Sequence, residues 1–135
     1  MAIITITNDL EKNGPILKTE FNVPSHISAK SHNLIANALI DTGASHSIIK
    51  SRIPEGLGLK PVGETKINTA SCKDYKCYQY FLKLVFPEHN LNYEGVFTAL
   101  PLDGQEIDCL IGRDILKDVL LIYIGNINQF TISLK

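Results

Sequence analysis

With 135 residues the chain is long enough for one hydrophobic core and not comfortably for two. Apolar residues make up 44 % and charged residues 20 %, a balance that excludes a disordered chain. The net charge of −1, with lysines scattered among acids, leaves no electrostatic footprint for nucleic acid or an anionic membrane, so neither is an expected partner.

In chain order the apolar runs are short and the punctuation frequent. Ile3 to Thr7 alternates well enough for a strand. The stretch Met1 to Asn8 has no basic leader or small-residue cleavage site, and no segment approaches the roughly 18 apolar residues of a membrane span, so the expected location is cytoplasmic. Asn13-Gly14-Pro15 signals a turn before a second strand, Ile16 to Val23, which Pro24 ends. Asn33 to Ile40 is a third strand and leads straight into Asp41. Ser45 to Ser51 is too short for a sizeable helix, and Pro54-Glu55-Gly56-Leu57-Gly58 reads as loop. Lys60 to Thr69 and Tyr78 to Pro87 read as strands flanking the polar segment Ala70 to Lys76, which fits a projecting hairpin. Tyr93 to Leu100 continues the strand pattern. A single helix is expected, Arg113 to Leu120, opened by Gly112, with Asp114 in its first turn where a negative charge suits the helix dipole. Gly125-Asn126 then turns the chain into a last strand, Gln129 to Leu134. No repeat or linker interrupts residues 1–135, which read as one mainly β domain.

The three cysteines, Cys72, Cys77 and Cys109, are an odd number with no export signal, so reduced thiols are expected. Cys72 and Cys77 have no histidine close by to complete a tetrahedral site, and no metal or other cofactor is expected. His26, His32, His46 and His89 are dispersed. Nothing resembles a nucleophile elbow around Ser45, Ser47 or a cysteine.

Two motifs carry chemistry. Ala38-Leu39-Ile40-Asp41-Thr42-Gly43-Ala44 places a carboxylate at the end of an apolar strand, followed by a hydroxyl and a glycine in a tight turn. An acid set against apolar walls suits a catalyst. Later, Asp108-Cys109-Leu110-Ile111-Gly112-Arg113-Asp114 joins two branched apolar residues to a glycine and a helix start. Each motif occurs once.

On these residues the chain resembles a retropepsin, the single-domain aspartic protease of retroviruses, retrotransposons and related cellular genes. The likeness runs over about residues 34 to 134, with Thr69-Ala70-Ser71 where the flap hairpin belongs. The resemblance implies a closed β-barrel with one short C-terminal helix, acting as a two-fold homodimer on peptide or protein substrates. Peptide hydrolysis without a metal or covalent nucleophile needs a base for water and an acid for the leaving amine. Two Asp41 carboxyls, one from each subunit, provide both. Like charges a few ångströms apart do not both ionise easily, a behaviour for which aspartic proteases are the standard example. Activity is therefore expected in acid to near-neutral solution. The likeness further implies that Thr42 bonds across the two-fold axis and that Gly43 lets backbone approach the substrate and the carboxylates. Ala2 to Thr7 and Gln129 to Leu134 are the segments expected to interleave between subunits. Substrate walls are expected from Ala44, Ser45, Ile111 and a flap that includes Ala70, Ser71 and Cys72.

Departures from the viral pattern are plain. Ser45 stands where viral members often carry an aspartate that pairs the arginine, so Arg113 must find another partner: Asp114, Asp108 or a carbonyl. The flap carries Cys72, Lys73, Asp74 and Tyr75 in place of glycines. The alternative function is a non-proteolytic dimeric peptide-binding or scaffolding module on the same fold. The intact Asp41-Thr42-Gly43, with a threonine and glycine that a mere binder does not need, favours the enzyme.

Overall fold

The structure, a computed structural model, describes residues 2–27, 33–68, 73–89, 91–102 and 104–134. Ten strands dominate it: β1 (Ala2–Thr7), β2 (Ile16–Asn22), β3 (Leu34–Ile40), β4 (Ile48–Lys50), β5 (Gly63–Ile67), β6 (Tyr75–Phe86), β7 (Leu91–Leu100), β8 (Cys109–Ile111), β9 (Val119–Ile124) and β10 (Gln129–Leu134). Period-two burial explains most of them. In β2, Leu17, Thr19 and Phe21 point inward while Lys18 faces water. Thr19 is fully buried, and its hydroxyl donates to the Ala36 carbonyl at 3.0 Å, so no polar group is stranded.

Strands β2-β3-β8-β4-β7-β6 lie side by side in that order, and pairing of β2 with β6 closes them into a six-stranded barrel with β5 added outside β6. A second sheet, β1-β10-β9, is antiparallel throughout. Its inward residues Ile4, Phe130 and Ile132 join Phe21, Leu82, Leu84 and Phe97 of the barrel in one core, where Phe21 and Phe97 meet edge to face at 5.4 Å. Asn128 fastens the end of that sheet where β1 stops and β10 starts. Its carbonyl accepts from the Asn8 N–H at 3.0 Å and its side chain from the Leu10 N–H at 3.1 Å.

Several boundaries differ from the sequence reading. The helix expected over Arg113 to Leu120 is α3, only Arg113–Leu116. Beyond Lys117-Asp118, the run Val119 to Ile124 is β-prone and finds a full partner in β10, so ladder bonds outweigh helix continuation. Two further short helices form, α1 (Leu10–Asn13) and α2 (Arg52–Gly56). Pro54, expected in a loop, sits in the first turn of α2, where its missing N–H costs nothing, and is buried beside Ile53. The terminal segments expected to interleave between subunits, Ala2–Thr7 and Gln129–Leu134, pair with each other within the chain. Within one chain β10 already has β1 on one side and β9 on the other, so β10 keeps no open edge. Among the described residues no helix is long and apolar enough to cross a membrane.

Candidate active site

The site is built by a crossing. Strands β3 and β4 follow one another in sequence but are not neighbours, because β8 lies between them. Parallel to β3 (Ile40 opposite Ile111) and antiparallel to β4 (Ile48 opposite Leu110), β8 ends beneath the 41–47 connection. Asp41 is therefore the first residue past β3, and its N–H donates to the Ile111 carbonyl at 2.9 Å.

Gly112 makes the crossing possible. A Cβ there would lie 2.8 Å from the carbonyl carbon and oxygen of His46 and 2.9 Å from the Ala44 oxygen. These are backbone atoms that cannot swing aside, so the glycine is needed for close approach. The same contact lets the Arg113 N–H donate to the Ala44 carbonyl at 2.8 Å. The Arg113 guanidinium reaches back to the Thr42 carbonyl at 2.7 Å. A carbonyl, rather than either aspartate, is thus the arginine's partner.

At the far end of the connection Ser47 is buried and locked. Its hydroxyl donates to Asp114 Oδ1 at 2.6 Å and accepts from the Gly112 N–H at 3.0 Å, while its own N–H donates to Asp114 Oδ2 at 2.9 Å. Asp114, expected to act through the helix dipole, thus also ties α3 to the turn. The motif's other acid, Asp108, fixes the start of β8. It accepts from the Asn37 N–H at 2.9 Å and pairs with Arg52 at 2.9 Å and Lys50 at 3.6 Å. Burial pushes its pKa up, but the Asn37 N–H and the two cations outweigh burial and hold the carboxyl below its ordinary range.

Asp41 itself is half-buried, and among the described residues its carboxylate has one hydrogen bond, from the Gly43 N–H to Oδ1 at 2.9 Å. A Cβ on Gly43 would sit 3.2 Å from that oxygen, a tight contact that a small shift of the Asp41 side chain would relieve. Thr42 and Gly43 are exposed beside it. The turn borders a groove of about 240 Å³ lined by Gly43, Ala44, Ser45, His46, Ile48, Ile67, Asn68 and Thr98. Ala44 and Ser45 line this groove, whereas Ile111 is buried in the core and is not among its lining residues. The opposite wall is the root of a hairpin, β5 with β6, closed at Ile67 opposite Tyr75. Ala70, Ser71 and Cys72, expected at its tip, lie outside the described residues. Sequence reasoning missed the Ser47–Asp114 lock and the lining role of Ile48, Ile67, Asn68 and Thr98; a serine before a paired isoleucine is the only local signal for the first.

Cys77 and Cys109 are buried, and burial pushes both thiols up and away from the reactive thiolate. Among the described residues no group of three His, Cys, Asp or Glu side chains is placed to hold a metal.

The family model described as Aspartyl protease matches residues 27–115, well over half of the chain, and includes both motifs. The chain belongs to the aspartyl protease family. Its fold is retropepsin-like. A retropepsin-like aspartic protease from Rickettsia conorii superposes with a TM-score of 0.61 at 14 % identity, covering 98 % of this chain and 90 % of that one. EIAV protease complexed with the inhibitor HBY-793 gives 0.52 at 16 % identity, over 84 % and 93 % of the two chains. Comparison with curated proteins gives no significant sequence match. At such identities the likeness to solved structures speaks to the fold, and the aspartyl protease assignment rests on the family match.

Proposed function

We propose that this aspartyl protease family member is an endopeptidase working as a two-fold homodimer on extended polypeptides in the cytoplasm, with one Asp41 from each subunit. The observation that carries the reading is the contrast at Asp41: its backbone is pinned to Ile111, while its carboxylate accepts a single N–H, from Gly43, the first of the turn residues that line an open groove. One ionised Asp41 takes a proton from water as the oxygen attacks the scissile carbonyl. The protonated Asp41 of the other subunit gives its proton to the carbonyl oxygen as the tetrahedral diol forms; on collapse the first Asp41 passes the proton it took from water to the leaving nitrogen, the second takes back a diol proton, and the C–N bond breaks to give an acid and an amine. The Thr42 side chain has no hydrogen bond among the described residues, and it is assigned to the symmetry-related turn. Ala44, Ser45 and Ile67 border the bound chain.

The test is cleavage profiling of a peptide library between pH 4 and 7, with the native chain and Asp41→Asn at several enzyme concentrations. The expected result is cuts that fall by about 10²–10⁴-fold in Asp41→Asn and a specific activity that rises with concentration. Cuts that survive Asp41→Asn would place the catalyst elsewhere. No cuts from a chain shown to be dimeric would favour the peptide-binding module.

A further inference from the structure

We propose that the groove beside the catalytic turn selects a substrate side chain ending in a carbonyl group, an amide ahead of a carboxylate, and that Thr98 and Asn68 are its selectivity residues. The inference rests on the protease reading above and names the substrate class that this site takes. Two isoleucines, Ile48 and Ile67, line the groove together with four polar residues, Ser45, His46, Asn68 and Thr98. Among the described residues no acid lines it. The groove thus combines apolar walls with several hydrogen-bonding groups, the make-up of a site that fixes a particular polar group.

Thr98 carries the argument. Its neighbours Phe97 and Ala99 belong to the core, so its own side chain takes the other face of β7, beside Ile48, its partner in the β4 ladder. Thr98 is nevertheless only 3 % exposed. Its N–H donates to the Ser47 carbonyl at 3.1 Å, but its hydroxyl has no hydrogen bond among the described residues. Among those residues no fully covered side-chain nitrogen or oxygen lacks a partner, so this hydroxyl must be open, and the opening that Thr98 lines is the groove. Thr19 makes the contrast: it is as deeply buried, and its hydroxyl is answered by the Ala36 carbonyl. In the empty groove water answers Thr98. A bound leucine would displace that water and strand the hydroxyl, whereas a carbonyl would replace it.

The remaining polar groups are arranged to help. Asn68 stands at the root of the hairpin, and its side-chain oxygen accepts from the Asp74 N–H at 3.1 Å. That bond sets the orientation of the amide and leaves its NH2 group as a donor. Ser45 and His46 are exposed on the turn, and neither side chain has a hydrogen bond among the described residues. A substrate carbonyl can accept from Asn68 and Thr98 together, and an amide NH2 can also donate to the Thr98 hydroxyl. A carboxylate can only accept, and it brings a negative charge toward two Asp41 carboxyls that already share one, so the amide leads. The lining begins at Gly43, two residues past Asp41, which puts the selected side chain within about three residues of the scissile bond at roughly 3.3 Å per extended residue.

The deciding experiment profiles cleavage of a randomised peptide library by the full chain, then measures kcat/KM on two peptides that differ only as Asn or Leu at the position so found. One position within about three residues of the cut should be enriched in Asn and Gln, with Asp and Glu next, and Asn should exceed Leu at least about tenfold in kcat/KM. Thr98→Val should shrink that ratio by about three- to tenfold, Asn68→Ala should also shrink it, and Thr98→Ser, which keeps the hydroxyl, should hold it near the parent's. A ratio taken within one enzyme is unaffected by a loss of active material. Should Thr98→Val fail to fold by circular dichroism, the parent's ratio and Asn68→Ala still decide. A preference for apolar side chains at every position near the cut, or an Asn preference that survives both Thr98→Val and Asn68→Ala, would overturn the assignment and leave the protease standing. No cuts by the parent, or cuts that survive Asp41→Asn, would sink the protease reading and this inference with it.

Discussion

Asp108 and Asp114 flank the two ends of β8, and Asp41 lies beside the same strand, yet the three carboxylates are used in opposite ways. Asp108 receives an N–H, a guanidinium and an ammonium, and Asp114 receives the Ser47 N–H, the Ser47 hydroxyl and the Ile115 N–H. Asp41 receives one N–H. A carboxylate surrounded by donors serves as a rivet, because removing it would leave those donors unanswered. A carboxylate with spare lone pairs has room to accept from water or substrate. The floor of the site and its reactive rim are thus separated by donor count rather than by residue type, within one stretch of backbone.

The sharpest way to break this comparison is to exchange the two outcomes. Asp114→Ala leaves the buried Ser47 hydroxyl and N–H unanswered and should cost about 3 kcal/mol. A thermal melt should show the midpoint fall by about 10 °C, whereas Asp41→Asn should melt within a degree or two of the parent. Equal melting losses would mean that Asp41 is a rivet too. Next in size, Gly112→Ala drives a Cβ into the His46 and Ala44 backbone and should cost about 2 kcal/mol. Activity should fall further than the melt alone explains, since the 41–47 connection is what moves; a full-activity Gly112→Ala would show that the crossing is looser than 2.8 Å implies.

The smallest effect concerns pH. Asp108 has its folded pKa lowered, so its contribution is complete above the unfolded carboxyl value of about 3.9 and is lost as pH falls through the folded value. Asp108→Asn should therefore be about 1–2 kcal/mol less stable at pH 7, with the gap closing below about pH 4. Paired urea titrations at pH 7, 4 and 2.5 would check the sign, and a gap that widened in acid would contradict it.

The sequence by itself determined the β class, the order of most strands, the Asp41-Thr42-Gly43 turn and its relation to Leu110-Ile111-Gly112. The first three follow from local rules, namely period-two apolar runs, turn residues and an acid placed at a strand end, and the last is what the resemblance to retropepsins implies. Only the tertiary structure decided that Arg113 answers the Thr42 carbonyl, that Ser47 and Asp114 meet across 67 positions, and that Ile111 turns into the core instead of the cleft. It also decided that Val119 to Ile124 is a strand and that β10 pairs on both sides within one chain. The reason is the same in each case. A short apolar run fits a helix or a strand about equally well by pattern, and a polar side chain fits many partners. The choice is made by which neighbours the fold brings within hydrogen-bonding reach, and that information is spread along the whole chain.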